Sequence, residues 1–200
     1  PRYSVEALLA AHFPPAPVAG PRSVQPNLPP PTYTRFVMRA VPFGALLAGL
    51  RSELPVTIVV SLGGMGKTSL ARAAAGACLT GESRAGPFHA VVWVSDKDRP
   101  GATNLSTTLD AIARVLDYPG IIALPFARRQ DEMAQLLRAL AVLLVVDNAD
   151  TITDGALLEW LARVPGPSKA LVTSRWSLPA LGDAYLVPLG PMEPHELRAL

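Results

Sequence analysis

The residues with the clearest chemical purpose form one run, Ser61-Leu62-Gly63-Gly64-Met65-Gly66-Lys67-Thr68-Ser69. Phosphate groups need several backbone N–H groups converging on them, and glycines let a chain curl that tightly. A helix starting at Lys67 would add free amides and the positive end of its dipole. Lys67 would then reach the β- and γ-phosphates of a nucleotide, and the Thr68 hydroxyl would sit on Mg²⁺. The usual spacing is G-x-x-x-x-G-K-[ST]. Here Ser61 takes the first glycine's place, and Gly63 and Gly64 supply flexibility just after it. A glycine-rich turn with a chance Gly-Lys-Thr is the competing interpretation, and a strand before the loop with a helix after it argues against that.

A magnesium-bound phosphate needs a carboxylate at the end of a neighbouring strand. Leu143-Leu144-Val145-Val146-Asp147 ends an apolar run on an acid, which would hold the metal's water shell. An aspartate closing a strand is otherwise a turn former or helix cap. Asn148 follows, where a second acid would activate the attacking water. An amide orients water but cannot take its proton, so slow turnover is expected, with Asp150 as the other acid at hand. Ala170-Leu171-Val172-Thr173-Ser174-Arg175 puts an arginine at another strand tip. There it would sense a γ-phosphate, unless it is simply a solvated surface residue.

These residues need a sheet to bring them together. Val56-Thr57-Ile58-Val59-Val60 is a β-branched run suited to a strand buried on both faces. Ala90–Val94, 142–146, 170–173 and 185–187 repeat that character. Helical patterns cover 67–79, 106–116, 128–140 and 156–164, and a further helix begins near Glu193. Alternating strands and helices predict a three-layer α/β domain with a parallel sheet. Nine of the 21 prolines lie between Pro1 and Pro31. The stretch 14–31 therefore reads as a semi-rigid extended linker, preceded by a short helix or frayed terminus at 4–11. The expected division is 1–31, helix and linker, and 32–200, the α/β domain. Because residue 1 is proline, the chain is expected to be an excerpt of something longer.

Composition narrows the function. Half the residues are apolar and only 17% are charged, unlike a charged disordered chain. A net charge of +2 provides no dense basic stripe, so direct nucleic-acid binding is not expected. The single cysteine, Cys78, excludes an internal disulfide and suits a reducing compartment. It reads as a small core residue, and the three tryptophans read as packing residues. Arg128-Arg129 reads as a solvated helix start. No apolar run reaches the roughly 20 residues that span a bilayer, so a cytoplasmic location without membrane contact is expected. A guanine reader of Asn-Lys-x-Asp type is missing from the expected place, since Ser95-Asp96-Lys97-Asp98 comes too early. A small-molecule kinase would need an acceptor site and lid that cannot be recognised.

Taken together, the motifs resemble the NB-ARC-type nucleotide-binding domain of STAND-class P-loop NTPases, shared by plant disease-resistance receptors, apoptosome proteins and bacterial regulators. Gly63-Gly64-Met65-Gly66-Lys67-Thr68-Ser69-Leu70-Ala71 looks like their phosphate loop. Phe88-His89-Ala90-Val91-Val92-Trp93-Val94-Ser95 is similar to their second strand. Leu144-Val145-Val146-Asp147-Asn148-Ala149-Asp150 looks like their metal-binding strand in its bacterial form, and Leu171-Val172-Thr173-Ser174-Arg175 their sensor strand. Arg35-Phe36-Val37-Met38-Arg39-Ala40 is similar to their adenine-side motif, usually Phe-Val-Gly-Arg-Glu. Phe36, Val37 and Arg39 match, while Met38 and Ala40 depart. A helix at 45–54 would accompany it.

The resemblance covers about 33–200 and implies a sheet order of 5-1-4-3-2. It implies an ATP/ADP-driven signalling switch in which ADP holds a closed state and exchange for ATP permits oligomerisation. Slow hydrolysis would reset it. Nucleotide and Mg²⁺ are the implied cofactors, with Thr68 and Asp147 on the metal. Self-association in the ATP state, and effector or sensor domains elsewhere in a longer protein, are the implied partners. The alternative is an interaction scaffold that binds nucleotide for stability and does not turn it over, which Ser61 and Asn148 favour.

Overall fold

The computed structural model describes residues 27–31, 37–80 and 88–197. Five strands make one all-parallel sheet: β1 (Val56–Val60), β2 (Ala90–Ser95), β3 (Val142–Asp147), β4 (Lys169–Ser174) and β5 (Tyr185–Pro188). Their order is β2-β3-β4-β1-β5, the expected 5-1-4-3-2 read from the other edge. The register sets Val60 beside Ser174, and Ser95 beside Asp147. The strand ends that carry the chemical residues therefore lie along one rim of the sheet.

Alternation along each strand divides the apolar residues between two cores. Val142, Leu144 and Val146 face one side with Ile58, Val92 and Val172; Leu143 and Val145 face the other with Val59, Val91, Trp93 and Leu171. Covering both faces explains why these strands read as unbroken apolar runs. The first core is closed by α3 (Leu105–Val115), α4 (Phe126–Ala139) and α5 (Gly155–Leu161) through Leu109, Ile112, Met133, Leu137, Leu157 and Leu161. The second is closed by α1 (Ala40–Arg51) and α2 (Lys67–Thr80) through Leu46, Leu50, Leu70, Ala74 and Cys78. A short α6 (Pro194–Leu197) follows β5. No described helix is long and apolar enough to cross a membrane.

Local chemistry sets the helix ends. Asn104 and Thr107 form a reciprocal cap at the start of α3, an arrangement that contributes about 1 kcal/mol. Asp154 receives the Leu105 amide (2.7 Å) and the Ala156 amide (3.1 Å), so one carboxylate serves the starts of both α3 and α5. The helix expected at 45–54 starts and stops earlier, as α1. Pro42 suits a first turn, and Leu54 precedes Pro55, which disfavours helix there. Lys169 Nζ donates to the carbonyls of Ser52 (2.6 Å) and Leu54 (2.9 Å) just past the helix end. Gly49 is needed in α1: a Cβ there would stand 2.7 Å from Tyr185 and 2.8 Å from Thr57.

The last part of the proline-rich stretch is docked. Asn27 Nδ2 donates to the Trp93 carbonyl and Asn27 Oδ1 accepts the Trp93 amide, both at 2.7 Å, along the outer side of β2. Leu28 packs on the second core, and the Pro29 carbonyl accepts from Arg72 Nε (2.7 Å) on α2. The helix expected at 4–11 and the rest of the linker lie outside the described residues.

Candidate functional site

The chain leaves β1 at Val60, curls through 61–66 and enters α2 at Lys67. Gly64 and Gly66 take φ of +78° and +88°, where side chains are strained. Ser61 is not among the described residues with positive φ, so its position does not require glycine. It continues the sheet instead, its amide donating to the Ser174 carbonyl (3.2 Å). Lys67 is buried, and its ammonium donates to the carbonyls of Ser61 (2.6 Å) and Leu62 (2.9 Å). Two of three N–H groups are thus used within the loop. Burial pushes Lys67 below its ordinary pKa, with Arg175 adding to the fall, while Asp150 and Asp147 oppose it.

Asp147 is buried at the tip of β3 and is held by hydroxyls from three directions. Thr68 Oγ1 donates to its Oδ1 (2.8 Å), as does Thr173 Oγ1 (2.7 Å), and Ser95 Oγ donates to Oδ2 (3.2 Å). The Asn148 amide in turn donates to Thr173 Oγ1 (2.9 Å). One carboxylate therefore draws together α2, β2, β3 and β4. The Thr68 and Asp147 oxygens are hard donors already close enough to share one small divalent cation, and so suit Mg²⁺. Among the described residues no three His, Cys, Asp or Glu side chains cluster to hold a metal by themselves. A cation here would complete its shell with water and phosphate oxygens.

Asn148 sits in the left-handed region at φ 63° and ψ 41°, a conformation asparagine tolerates better than most residues. It turns the chain into a short 3₁₀ segment, Ala149–Thr151. Asp150 is directed at Arg175: its Oδ1 accepts the Arg175 amide (3.1 Å), and Arg175 Nε stands 3.2 Å from Oδ2. The Asp150 side chain is almost fully buried, so it is not offered to water.

A cleft of about 490 Å³ joins these parts, lined by the loop residues 63–68, Asn148, Thr151 and Arg175, and also by Lys97 and Pro100. The last two come from the β2–α3 connection, which Asp96 organises. Its buried carboxylate accepts the amides of Gly101 (2.7 Å) and Thr103 (2.9 Å) and the Thr151 hydroxyl (2.7 Å). Burial alone would push this carboxyl up, but the hydrogen bonds from Thr151, Gly101 and Thr103 outweigh it and hold the pKa below its ordinary value.

The fold that carries this site is shared with solved structures. The chain superposes on a Signal Transduction ATPase with Numerous Domains (STAND) protein with a tetratricopeptide repeat sensor from Pyrococcus horikoshii. The TM-score is 0.60 at 16% identity, covering 90% of this chain and 27% of that one. It also superposes on a Walker-type ATPase of Pyrococcus abyssi, with TM-score 0.57 at 15% identity, covering 85% of this chain and 58% of that one. This is a P-loop NTPase fold. In sequence, the chain is 28% identical over 151 residues to the transcription activator GutR of Bacillus subtilis (strain 168), a match covering 74% of this chain and 18% of GutR. No family model matches the chain.

Ser69 is the third residue of α2 and does not line the cleft. Val37 is half-buried before α1, and Phe36 lies outside the described residues. Arg39 is buried and fully engaged, with Nε 3.0 Å from Glu196 Oε2 and its two terminal nitrogens donating to the Gly190 (3.0 Å) and Pro191 (2.8 Å) carbonyls. It fastens α1 to the segment after β5. Arg129 is likewise no solvated residue, since it bonds Asp110 (2.7 Å), Ser106 (3.1 Å) and the Ile122 carbonyl (2.9 Å). Trp93 and Trp160 pack as expected, but Trp176, one residue past Arg175, is 53% exposed.

Sequence reasoning missed Lys97, Pro100, Thr151, and the hydroxyls of Ser95 and Thr173. The last two carried a signal, each being a polar residue near the end of an apolar strand beside the acid.

Proposed function

We propose that this chain is the nucleotide-binding domain of a STAND-type signalling switch, binding ATP or ADP with Mg²⁺ in the cleft above the β1, β3 and β4 tips. The observation that carries this is the Thr68–Asp147 hydrogen bond beside a glycine loop with two positive-φ glycines. The likeness to a STAND ATPase and a Walker-type ATPase supports an adenine nucleotide. Gly63, Gly64, Met65 and Gly66 would present amides to the phosphates, and Lys67 would direct its remaining N–H at them. Thr68 and Asp147 would ligate the metal, and Arg175 would read the γ-phosphate. Val37 and Phe36 would flank the base, with Ser69 at the loop's exit.

Exchange of ADP for ATP would shift the chain between a closed and an open, self-associating state, which requires different affinities for the two nucleotides. The NB-ARC subtype, a cytoplasmic setting, and sensing or effector regions elsewhere in a longer protein belong to the same proposal. The kinship with GutR supports transcription as one output of such a switch.

Denaturing the purified protein and chromatographing what it releases tests the proposal. Copurifying ADP, lost in Lys67→Ala, supports the switch. An empty protein that neither Mg-ADP nor Mg-ATP stabilises against heat sinks it. A second reading, a nucleotide-bound scaffold without turnover, is favoured by Asn148 beside Asp147 and by the engagement of Asp150 with Arg175. ATP hydrolysis that disappears in Lys67→Ala would reject the scaffold.

A further inference from the structure

Three cations line the cleft, and they are differently occupied. Lys67 is bonded to the Ser61 and Leu62 carbonyls, and Arg175 is paired with Asp150. Lys97 is exposed, and among the described residues its ammonium has no ion-pair or hydrogen-bond partner. It enters the cleft from the β2 side. With β2-β3-β4-β1 as the order, β3 and β4 stand between it and the strand that feeds the phosphate loop. Three strand spacings separate those walls, roughly 14 Å at backbone level. Asp147, on β3, marks the ground between them.

The segment carrying Lys97 is held firmly. Asp96, the preceding residue, is buried and uses both oxygens to gather the Gly101 and Thr103 amides and the Thr151 hydroxyl. Thr151 also lies within 3.0 Å of the Asn148 carbonyl, so this staple ties the Lys97 loop to the chain just beyond Asp147. A buried carboxylate is costly unless fully hydrogen-bonded, and here its bonds fix the backbone on both sides of one lysine. Without such a staple, an exposed lysine on a loop would give little directed charge.

We propose that Lys97 is a phosphate-binding residue of this cleft that engages the terminal phosphate of a nucleoside triphosphate, favouring triphosphate over diphosphate, with Asp96 as its positioning residue. The inference rests on the nucleotide reading above. A diphosphate held by the glycine loop would end short of the far wall, whereas an added phosphate would extend toward β3 and β2. Lys97 meets it there with a charge that has no competing partner among the described residues. A positioned ammonium–phosphate hydrogen bond distinguishes ligands by their charge at that one place.

The test is calorimetric titration of the full chain with Mg-ATP and Mg-ADP. Lys97→Ala is expected to weaken ATP about tenfold and change ADP less than twofold, Lys97→Arg to restore most of the ATP affinity, and Lys67→Ala to weaken both nucleotides. Asp96→Asn is expected to reproduce the ATP-selective loss, a pattern that general destabilisation would not give. Lys97→Ala proteins that bind both nucleotides normally, or lose both equally, overturn the assignment while leaving the nucleotide reading intact. A wild-type chain that binds neither overturns both. Lys97 is exposed, so its variants do not disturb the core and remain informative even if Asp96→Asn fails to fold.

Discussion

Thr68 and Asp147 are 79 residues apart in the chain, yet their side-chain oxygens meet at 2.8 Å. The contact joins the helix after the glycine loop to the tip of β3, across β4, which lies between β1 and β3. Asp147→Asn keeps an acceptor for the Thr68 and Thr173 hydroxyls but removes the charge. The variant should fold and lose the Mg²⁺-dependent part of nucleotide stabilisation. Melting curves with ADP, recorded with magnesium and with a chelator, should coincide for it and differ for the wild type. Asp147→Ala should in addition cost about 1–3 kcal/mol, because buried hydroxyls lose their acceptor.

Lys67 gives a pH signature in the ligand-free protein. Its pKa is lowered from 10.5 on folding, chiefly by burial, and Lys169 is lowered in the same sense, with Glu53 partly opposing. Between the lowered values and 10.5 the unfolded chain carries more protons than the folded one. Stability should therefore rise with pH in that window. Urea midpoints measured up to pH 10.5 should climb, and Lys67→Met should flatten the climb. An unchanged slope in Lys67→Met would show that its burial is not what the geometry indicates.

Ser61 occupies the motif's first glycine position without needing positive φ. Ser61→Gly, which restores the usual pattern, should bring no gain in nucleotide affinity and should cost about 0.4–1 kcal/mol of stability through unfolded-chain entropy. Gly66→Ala is the contrasting variant. At φ +88° a Cβ is strained by about 1–2 kcal/mol, and the loop should bind phosphates less well. Chemical denaturation and calorimetry on the two variants would separate these effects.

Turnover should be limited by the missing base. Asn148 stands after Asp147, and the alternative acid, Asp150, has its carboxylate directed at Arg175. Asn148→Asp should raise single-turnover ATP hydrolysis by about tenfold or more, short of the full effect of an evolved general base. Asp150→Asn should give no such gain. A rise in Asp150→Asn without one in Asn148→Asp would reverse the roles given to these two side chains.

The sheet was legible because each strand is buried on both faces. Val56–Val60 is predicted and observed over the same residues, β2, β3 and β5 each run one residue further at the end, and β4 is longer by one residue at both ends. The loop, its helix and the acid on β3 were legible because phosphate chemistry demands those residue types in that order. Less legible was whatever depends on which strand tips become neighbours. Nothing local marks Lys97 as cleft-lining, since that follows from β2 standing beside β3 and from Asp96 folding the connection back. Arg129 reads as surface in the sequence until α3 and α4 meet around it, and the bond from Arg39 to Glu196 in the segment after β5 is equally invisible there. Both are long side chains whose partners lie on other elements, where sequence pattern carries no distance.

The Asn27 pair on Trp93 bears on how such a sheet stays solitary. An outermost strand offers a row of bare amides and carbonyls, and bare backbone is adhesive: it recruits strands from other molecules and seeds aggregates. A carboxamide carries one donor and one acceptor, so Asn27 imitates a neighbouring peptide group at a single rung. Prolines at 29, 30 and 31 prevent that imitation from growing into a further strand. The linker is thus a stopper for the sheet's rim. Wherever it peels away, Trp93 becomes a landing place for foreign chain.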